Sequence, residues 1–334
     1  MRVLVPTAGR RNILLDAIRQ CPQVTRLVTT EIDYTAPGVI AADVCYRVPP
    51  SGAPTYLDAV ESICRREGIT HILPLADLDL ERFAAQRERF GALGASVVCA
   101  PQDTVTLCMD KWRTHSFLRE LDIPLPWTAP LPDAAAAPER VPFPVCLKPG
   151  HAGMKNSPDY FFQRLETPEE LATWLERLGD RAPRYLVQEH LEGRRELNVD
   201  FFAIRGSVRR VVVLHRHGWG AGGGITRGTT VPCPPEVAFM TQRLVAALSY
   251  DGPGNFQVWT DDSGGYAVTE INPRFSNSSA LVGIPAGENF FRHLFDVLAG
   301  GDVPPRTNGY AMLTVTCAYA PRVVSDEALV DPFA

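Results

Sequence analysis

The chain predicts two fold classes in succession, α/β and then α+β, and three observations carry that reading. Over residues 1–107 short apolar runs alternate with amphipathic stretches, the pattern of a doubly wound parallel sheet with helices on its faces. From residue 145 the strands come instead as hairpin-like pairs with helices between them, the pattern of an antiparallel sheet. Between the two, residues 128–144 are rich in Pro and Ala and read as a loop. At 334 residues the chain exceeds one ordinary core and calls for two or three packed subdomains.

In order, residues 2–5 read as a strand and 12–20 as a helix, with Ile13, Leu14, Ala17 and Ile18 on one face. Residues 27–30 form a second strand. Residues 56–67 are helical, with Leu57, Val60, Ile63 and Cys64 in phase, and Gly68 stops them. A strand at 71–75, a helix at 79–90 and a strand at 96–99 complete the α/β part. A helix at 111–121 and a strand at 145–148 flank the Pro/Ala-rich segment. Beyond them, strands 196–204 and 208–214 flank the turn Arg205-Gly206-Ser207, and strands 255–260 and 266–271 flank a second turn. Helices are expected at 168–178, 235–248 and 288–298.

Composition is ordinary for a globular protein, with 45% hydrophobic and 21% charged residues and a net charge of -5. No Lys/Arg block marks a nucleic-acid footprint. No run of 18 apolar residues suggests a membrane span, and the first residues lack the features of a signal peptide. The eight cysteines form no CxxC pair, and several sit in apolar runs. They read as reduced, mostly buried thiols in a cytoplasmic protein.

The strongest chemical constellation is Glu270-Ile271-Asn272-Pro273-Arg274, at the end of a predicted strand. Side chains alternate along a strand, so Glu270 and Asn272 share a face. A carboxylate beside an amide oxygen suits Mg²⁺, which takes hard oxygen ligands and keeps waters and substrate phosphates as the rest of its shell. Arg274 offers a planar fork for phosphate oxygens. Gln257, on the neighbouring strand, joins the oxygen set if the register places it opposite Glu270; a one-residue slip turns it away. The plain structural alternative is a strand end with a solvated Glu and a surface Arg.

A second constellation is basic. Lys148 ends an apolar strand before Pro149-Gly150-His151-Ala152-Gly153, where glycines let backbone N–H groups approach an anion and the ammonium acts as a point charge. Lys111, after Asp110, opens a helix and adds a second cation, although Asp–Lys at a helix start is also ordinary capping. In a third stretch, from Tyr185 to Glu196, Gln188 is placed to bond an adenine amine and Glu196 to accept from ribose hydroxyls. Read without the others, it is two strands and a charged turn. The fourth stretch, His215 to Arg227, holds five glycines in seven residues and reads as a lid or a surface loop. Arg216 and Arg227 there are candidates for holding an acidic group or phosphoryl oxygens. His215 and His217 resemble a zinc pair, but no further ligand lies near them in sequence.

Taken together, these motifs resemble the ATP-grasp superfamily, in particular the ATP-binding units of the carbamoyl phosphate synthetase large subunit and single-unit carboxylate–amine ligases built like it. The resemblance rests on Asp110-Lys111 with Leu118 and Ile123-Pro124-Leu125-Pro126, on Phe143-Pro144-Val145-Cys146-Leu147-Lys148-Pro149, and on Asn255-Phe256-Gln257 followed by Glu270 through Leu281. It implies a Rossmann-like N-terminal domain over residues 1–107, followed by a two-lobed ATP-grasp fold. The small lobe would cover 108–187 and the large lobe, with the metal site, 188–334. The implied roles are phosphate binding by Lys111 and Lys148, adenine contacts by Gln188, Glu189 and Leu191, ribose binding by Glu196, and metal binding by Gln257, Glu270 and Asn272. Arg274, Lys148 and Arg227 would form the catalytic set around the transferring phosphoryl group.

The implied cofactors are ATP and Mg²⁺ or Mn²⁺. The implied reaction activates a carboxylate as an acyl phosphate and passes it to an amine, releasing ADP and phosphate. The expected partners are small-molecule carboxylate and amine substrates, amino acids among them, and a homodimer is one option; neither nucleic acid nor membrane is expected. A carboxyl phosphotransferase without an amine acceptor and a non-catalytic ATP-binding protein stay open as alternatives. The chain has one ATP unit and no glutaminase, the loop after Lys148 lacks dense glycines, and Thr7-Ala8-Gly9-Arg10-Arg11 is not a dinucleotide fingerprint.

Overall fold

The computed structural model describes residues 1–217, 227–261 and 263–317, together with the backbone of the short strand Leu329–Val330. The glycine-rich stretch 218–226, expected to be a lid, lies outside the described residues. By contacts the chain divides into two compact units, each assembled from separate segments. The first holds Met1–Val105, Asn198–Asn255 and Pro273–Ala334, and the second Thr106–Leu197 and Phe256–Asn272.

The first unit begins with the expected parallel sheet. Its strand order is Leu329–Val330, Val44–Arg47, Arg26–Glu31, Arg2–Val5, His71–Ile72, Ser96–Val97, and every pair is parallel. Arg2–Val5 is central because Val3, Leu4 and Val5 are fully buried, as a strand covered on both faces requires. The helix Asn12–Arg19 buries Leu14, Leu15, Ala17 and Ile18. The helix Tyr56–Glu67 stops at Gly68, whose φ of 59° is the left-handed cap that glycine adopts without penalty. The helix expected at 79–90 is two helices, Asp77–Ala84 and Arg87–Gly91. The break leaves Phe83 and Phe90 both buried, with ring centroids 5.4 Å apart.

The same unit carries the antiparallel strands Ser207–Arg216, Arg227–Val231 and Thr314–Thr316. Positive φ at both Arg205 and Gly206 gives the tight hairpin turn whose twist matches paired strands. One core cluster joins Val3, Val5, Leu14 and Ile18 to Phe202, Val212, Phe275, Phe290 and Phe291. Phe275 and Phe291 stack at 4.0 Å.

The second unit is built on a four-stranded antiparallel sheet, ordered Thr128–Pro130, Tyr185–Glu189, Val145–Pro149, Gln163–Leu165. The segment 128–144 is thus not a plain loop. It supplies an edge strand and the helix Leu131–Ala136, where Pro sits in the first turn and the alanines that suggested irregular chain are strong helix formers. Leu131, Val145, Leu147, Leu171, Tyr185 and Val187 form its core.

Backbone bonds fix the ends of the two segments that carry its lysines. Lys111 N donates to Gly150 O at 2.8 Å, and Gly150 N donates to Arg184 O at 2.8 Å. A Cβ on Gly150 would stand 3.0 Å from Arg184 O, so this approach needs glycine. Asp110 caps the helix Lys111–Glu120 by accepting from Trp112 N at 2.9 Å and Arg113 N at 3.0 Å. Asp110→Ala is expected to lower the unfolding free energy by about 1 kcal/mol, measured by urea denaturation; an unchanged midpoint would mean the cap contributes nothing.

Candidate active site

Within the second unit, the sheet and the capped helix bring together four residues that are far apart in sequence. Lys148 lies on the strand Val145–Pro149, between Gln163–Leu165 and Tyr185–Glu189. Its Nζ donates to Gln188 Oε1 at 2.6 Å, and Gln188 Nε2 donates to Thr128 Oγ1 at 2.9 Å. Lys111 Nζ stands 3.7 Å from Glu270 Oε2. A single pocket is lined by Lys111, Thr114, His115, Leu118, Leu125, Thr128, Lys148, Leu186, Gln188, Val268 and Thr269. It is apolar on the side of the leucines and Val268 and cationic at the lysines.

The electrostatics follow from burial. Lys148 is only 7% exposed, and burial, helped by the neighbouring Lys111, pushes its pKa down to about 7, against the opposing pull of Glu270. The ammonium costs free energy here unless an anion arrives. The unfolded chain, with lysine in its ordinary range, binds more protons than the folded chain between about 7 and about 10. This residue therefore makes the ligand-free fold gain stability as pH rises through that window.

An anion placed on Lys148 would restore the charged form, so a nucleotide whose phosphate lies there would take up a proton on binding above pH 7. Calorimetric titration with MgADP in buffers of different ionisation enthalpy at pH 8.5 is expected to show uptake approaching one proton per site, falling towards none at pH 6. Uptake equal at both pH values would refute the assignment.

His115 sits one helical turn beyond Lys111 and stacks on Trp112, with ring centroids 5.4 Å apart. Its Nε2 lies 3.3 Å from Pro126 O, and its Nδ1 is buried without a partner. Burial lowers its pKa, with the Pro126 carbonyl opposing, so the ring stays neutral at neutral pH. His115 was not singled out in the sequence; its i, i+4 spacing from Lys111 is the signal that could have found it. Thr128 carried no such signal, because its pairing opposite Gln188 depends on the edge strand.

The remaining candidates divide between the units. Glu189, Leu191, Glu196, Gln257 and Asn272 belong to the second. Glu189 N donates to Trp127 O at 2.8 Å, and its Oε2 accepts from Trp127 N at 3.2 Å. Glu196 and Asn272 are buried, and Glu270 and Asn272 alternate on the strand Tyr266–Asn272, which pairs with Gly252–Thr260. Glu270 and Asn272 thus present hard oxygens from one strand face, with Glu270 held beside an ammonium rather than fully solvated. That chemistry fits a divalent cation carrying phosphate oxygens.

Arg274 and Arg227 belong to the first unit. Arg274 is ion-paired through Nε with Asp77 and donates from Nη1 to Phe275 O at 3.1 Å. Arg227 is exposed, and its carbonyl accepts from His217 N at 3.0 Å. Arg216 is buried. His215 and His217 contact each other, with Nδ1 atoms 3.1 Å apart, and His217 Nε2 lies 2.8 Å from Thr229 Oγ1. Among the described residues no group of three His, Cys, Asp or Glu could hold a metal ion.

Two further residues, in the first unit, went unnoticed in the sequence. Asp77 partners Arg274 across almost two hundred positions of chain. Asp200, fully buried, accepts from Ser276 Oγ and Ser278 Oγ at 2.6 Å each. Burial raises its pKa and these hydroxyls oppose the rise. The serine run after Arg274 therefore spends two of its hydroxyls on an internal carboxylate.

Comparison with known proteins matches the chain in parts. Residues 3–98 match the family described as PylC-like, N-terminal domain, and residues 181–317 match the family described as ATP-grasp in the biosynthetic pathway with Ter operon. The carbamoyl phosphate synthase large chain of Hyperthermus butylicus is 27% identical over 231 residues, covering 65% of this chain and 21% of that one. The chain thus spans about a fifth of the length of that curated relative.

Among solved structures, the biotin carboxylase domain of Hydrogenobacter thermophilus 2-oxoglutarate carboxylase, in complex with MgADP and bicarbonate, superposes with a TM-score of 0.72. The identity is 18%, and the match covers 92% of this chain and 73% of that one. N5-carboxyaminoimidazole ribonucleotide synthetase from Thermus thermophilus follows with a TM-score of 0.69, at 16% identity, covering 91% and 79%. Among the described residues no helix is long and apolar enough to cross a membrane.

Proposed function

We propose that this chain, which has the ATP-grasp fold, is an ADP-forming ligase that joins a carboxylate to an amine through an acyl phosphate. The observation that carries the proposal is one half-apolar pocket lined by Lys111, Lys148 and Gln188, with Glu270 paired to Lys111. An apolar slot ending in two ammonium groups suits a planar base with a polyphosphate. Lys111 and Lys148 hold phosphate oxygens, and Lys148 gains its charge as they arrive. Gln188, with the backbone of Glu189 and Leu191, contacts adenine, and Glu196 the ribose. Gln257, Glu270 and Asn272 would hold Mg²⁺, or Mn²⁺ in its place, which when bound neutralises phosphate charge. Arg274 and Arg227 steady the transferring phosphoryl group.

No protein nucleophile is needed. The carboxylate oxygen attacks the γ-phosphorus and ADP leaves. The amine nitrogen then attacks the acyl carbon, phosphate leaves with the bridging oxygen, and the nitrogen gives up a proton. The protein's contribution is alignment and fixed positive charge around groups that repel one another. The partners are small molecules, a carboxylate and an amine, with amino acids the first class to test; a homodimer and a cytoplasmic location are compatible with this chemistry.

The test is ADP and phosphate release across a panel of amino acids offered singly and in pairs, with product masses read by mass spectrometry. Release that needs both an acid and an amine is expected. Release with an acid alone would replace ligation by phosphotransfer, and no release with any pair would overturn the proposal.

A further inference from the structure

In the first unit the parallel sheet has a switch point. Arg2–Val5 lies between Arg26–Glu31 and His71–Ile72, so successive connections leave it in opposite directions. In open α/β sheets the crevice outside the carboxyl ends of the strands at such a point is where ligands bind. Here charged residues gather at that end of the sheet. Thr7, Gly9 and Arg11 follow the first strand, Glu31 ends the second, and Asp77 and Asp79 follow His71–Ile72. Arg274 arrives from far along the chain and pairs with Asp77.

The backbone is shaped around Arg11. Thr7 and Gly9 both have φ of 52°, and a Cβ on Gly9 would stand 2.9 Å from Arg11 Nη1. Gly9 N is held by the Glu31 carboxylate. Arg11 Nη1 donates to a neutral carbonyl, Thr7 O, at 3.3 Å, while Arg274, Asp77, Asp79 and Glu31 all lie within electrostatic reach of its guanidinium. Asp79 is completely buried; its Oδ1 accepts from Tyr56 Oη at 3.3 Å and its Oδ2 has no partner. Burial raises the Asp79 pKa, and the nearby Thr7 hydroxyl opposes the rise, which places the Arg11 loop close to the segment after His71–Ile72.

Arg11 and Arg274 lie within electrostatic reach of each other and repel, and Asp77, Asp79 and Glu31 offset that repulsion. Three carboxylates nearby outnumber the two arginines, which disfavours a polyanion and suits a monoanion that also carries a positive charge. We infer that this crevice binds an amino acid, its carboxylate on the Arg11 guanidinium beside Arg274, with Asp79 positioning the loop that presents Arg11. This deepens the ligase reading, on which it rests only for the role of the bound amino acid as a substrate.

The experiment titrates the full chain, without nucleotide, with each of the twenty common amino acids and the methyl ester of any that binds, by calorimetry. At least one amino acid is expected to bind and its ester to fail. Arg11→Gln should weaken that binding about 10- to 100-fold, with Arg11→Lys intermediate and MgADP affinity unchanged in both. Failure of every amino acid to bind overturns the inference. So does equal binding by an Arg11→Gln variant that melts at the parent temperature. Amino-acid-dependent ADP release unaffected by Arg11→Gln would sink this site and leave the ligase reading intact. Binding through Arg11 without any ADP release would keep the site and sink the ligase reading.

Discussion

Glu270→Ala is expected to lower ADP release by about 10²–10³-fold while the chain stays folded. The carboxylate is 28% exposed at its side chain and 3.7 Å from Lys111 Nζ, so its removal leaves no large cavity. What it removes is the acidic group paired with Lys111, one of the two cations lining the pocket. In the proposed reaction it also removes a metal ligand. Glu270→Gln keeps the shape and one oxygen and should fall between parent and alanine. Because Glu270 pulls the Lys148 pKa upward, the alanine variant should also hold Lys148 neutral to a lower pH, and its proton uptake on MgADP binding should begin earlier in the titration. Turnover within tenfold of the parent would remove Glu270 from the mechanism.

Lys148→Met separates function from stability. A buried ammonium is costly, and exchanging it for an apolar chain of similar length is often neutral or stabilising. Against that gain stands Gln188 Oε1, which loses its donor at 2.6 Å, at a cost of about 1–3 kcal/mol. The two effects oppose each other, so the unfolding midpoint should move by only a few degrees. ADP release should nevertheless fall by about 10³-fold, since phosphate oxygens lose their deepest cation. Scanning calorimetry and the ADP assay measure the two sides. A well-folded variant that turns over like the parent would refute the phosphate role.

The sequence disclosed most where chemistry and local pattern coincide. Lys111, Lys148 and Glu270 each stand at the end or start of a strongly periodic element, and those elements form close to where periodicity placed them: Lys111–Glu120, Val145–Pro149 and Tyr266–Asn272. The parallel sheet was equally legible, because alternating apolar runs leave few other solutions.

Residues that depend on pairing across long stretches of chain were not legible. Thr128 joins Gln188 only because a Pro/Ala-rich segment adopts an edge strand. Asp77 meets Arg274, and Asp200 meets Ser276, through packing that no local propensity encodes. The break at residues 85–86 was hidden for the opposite reason, since the apolar phase runs through it.

The way the two units share the chain bears on how the protein is made. The second unit needs residues 256–272 to finish what residues 106–197 begin, and the first needs 198–255 and the segment from 273 onward. On a ribosome neither body can close until most of the polypeptide has emerged. Apolar side chains such as Leu14 and Ile18 must therefore wait in the open for core partners such as Phe290 and Phe291, not yet synthesised. Closing such long loops is slow and exposes sticky surface meanwhile. The yield of active protein should then depend on chaperone supply and growth temperature during expression, and fragments cut at 105 or 197 should collect in inclusion bodies.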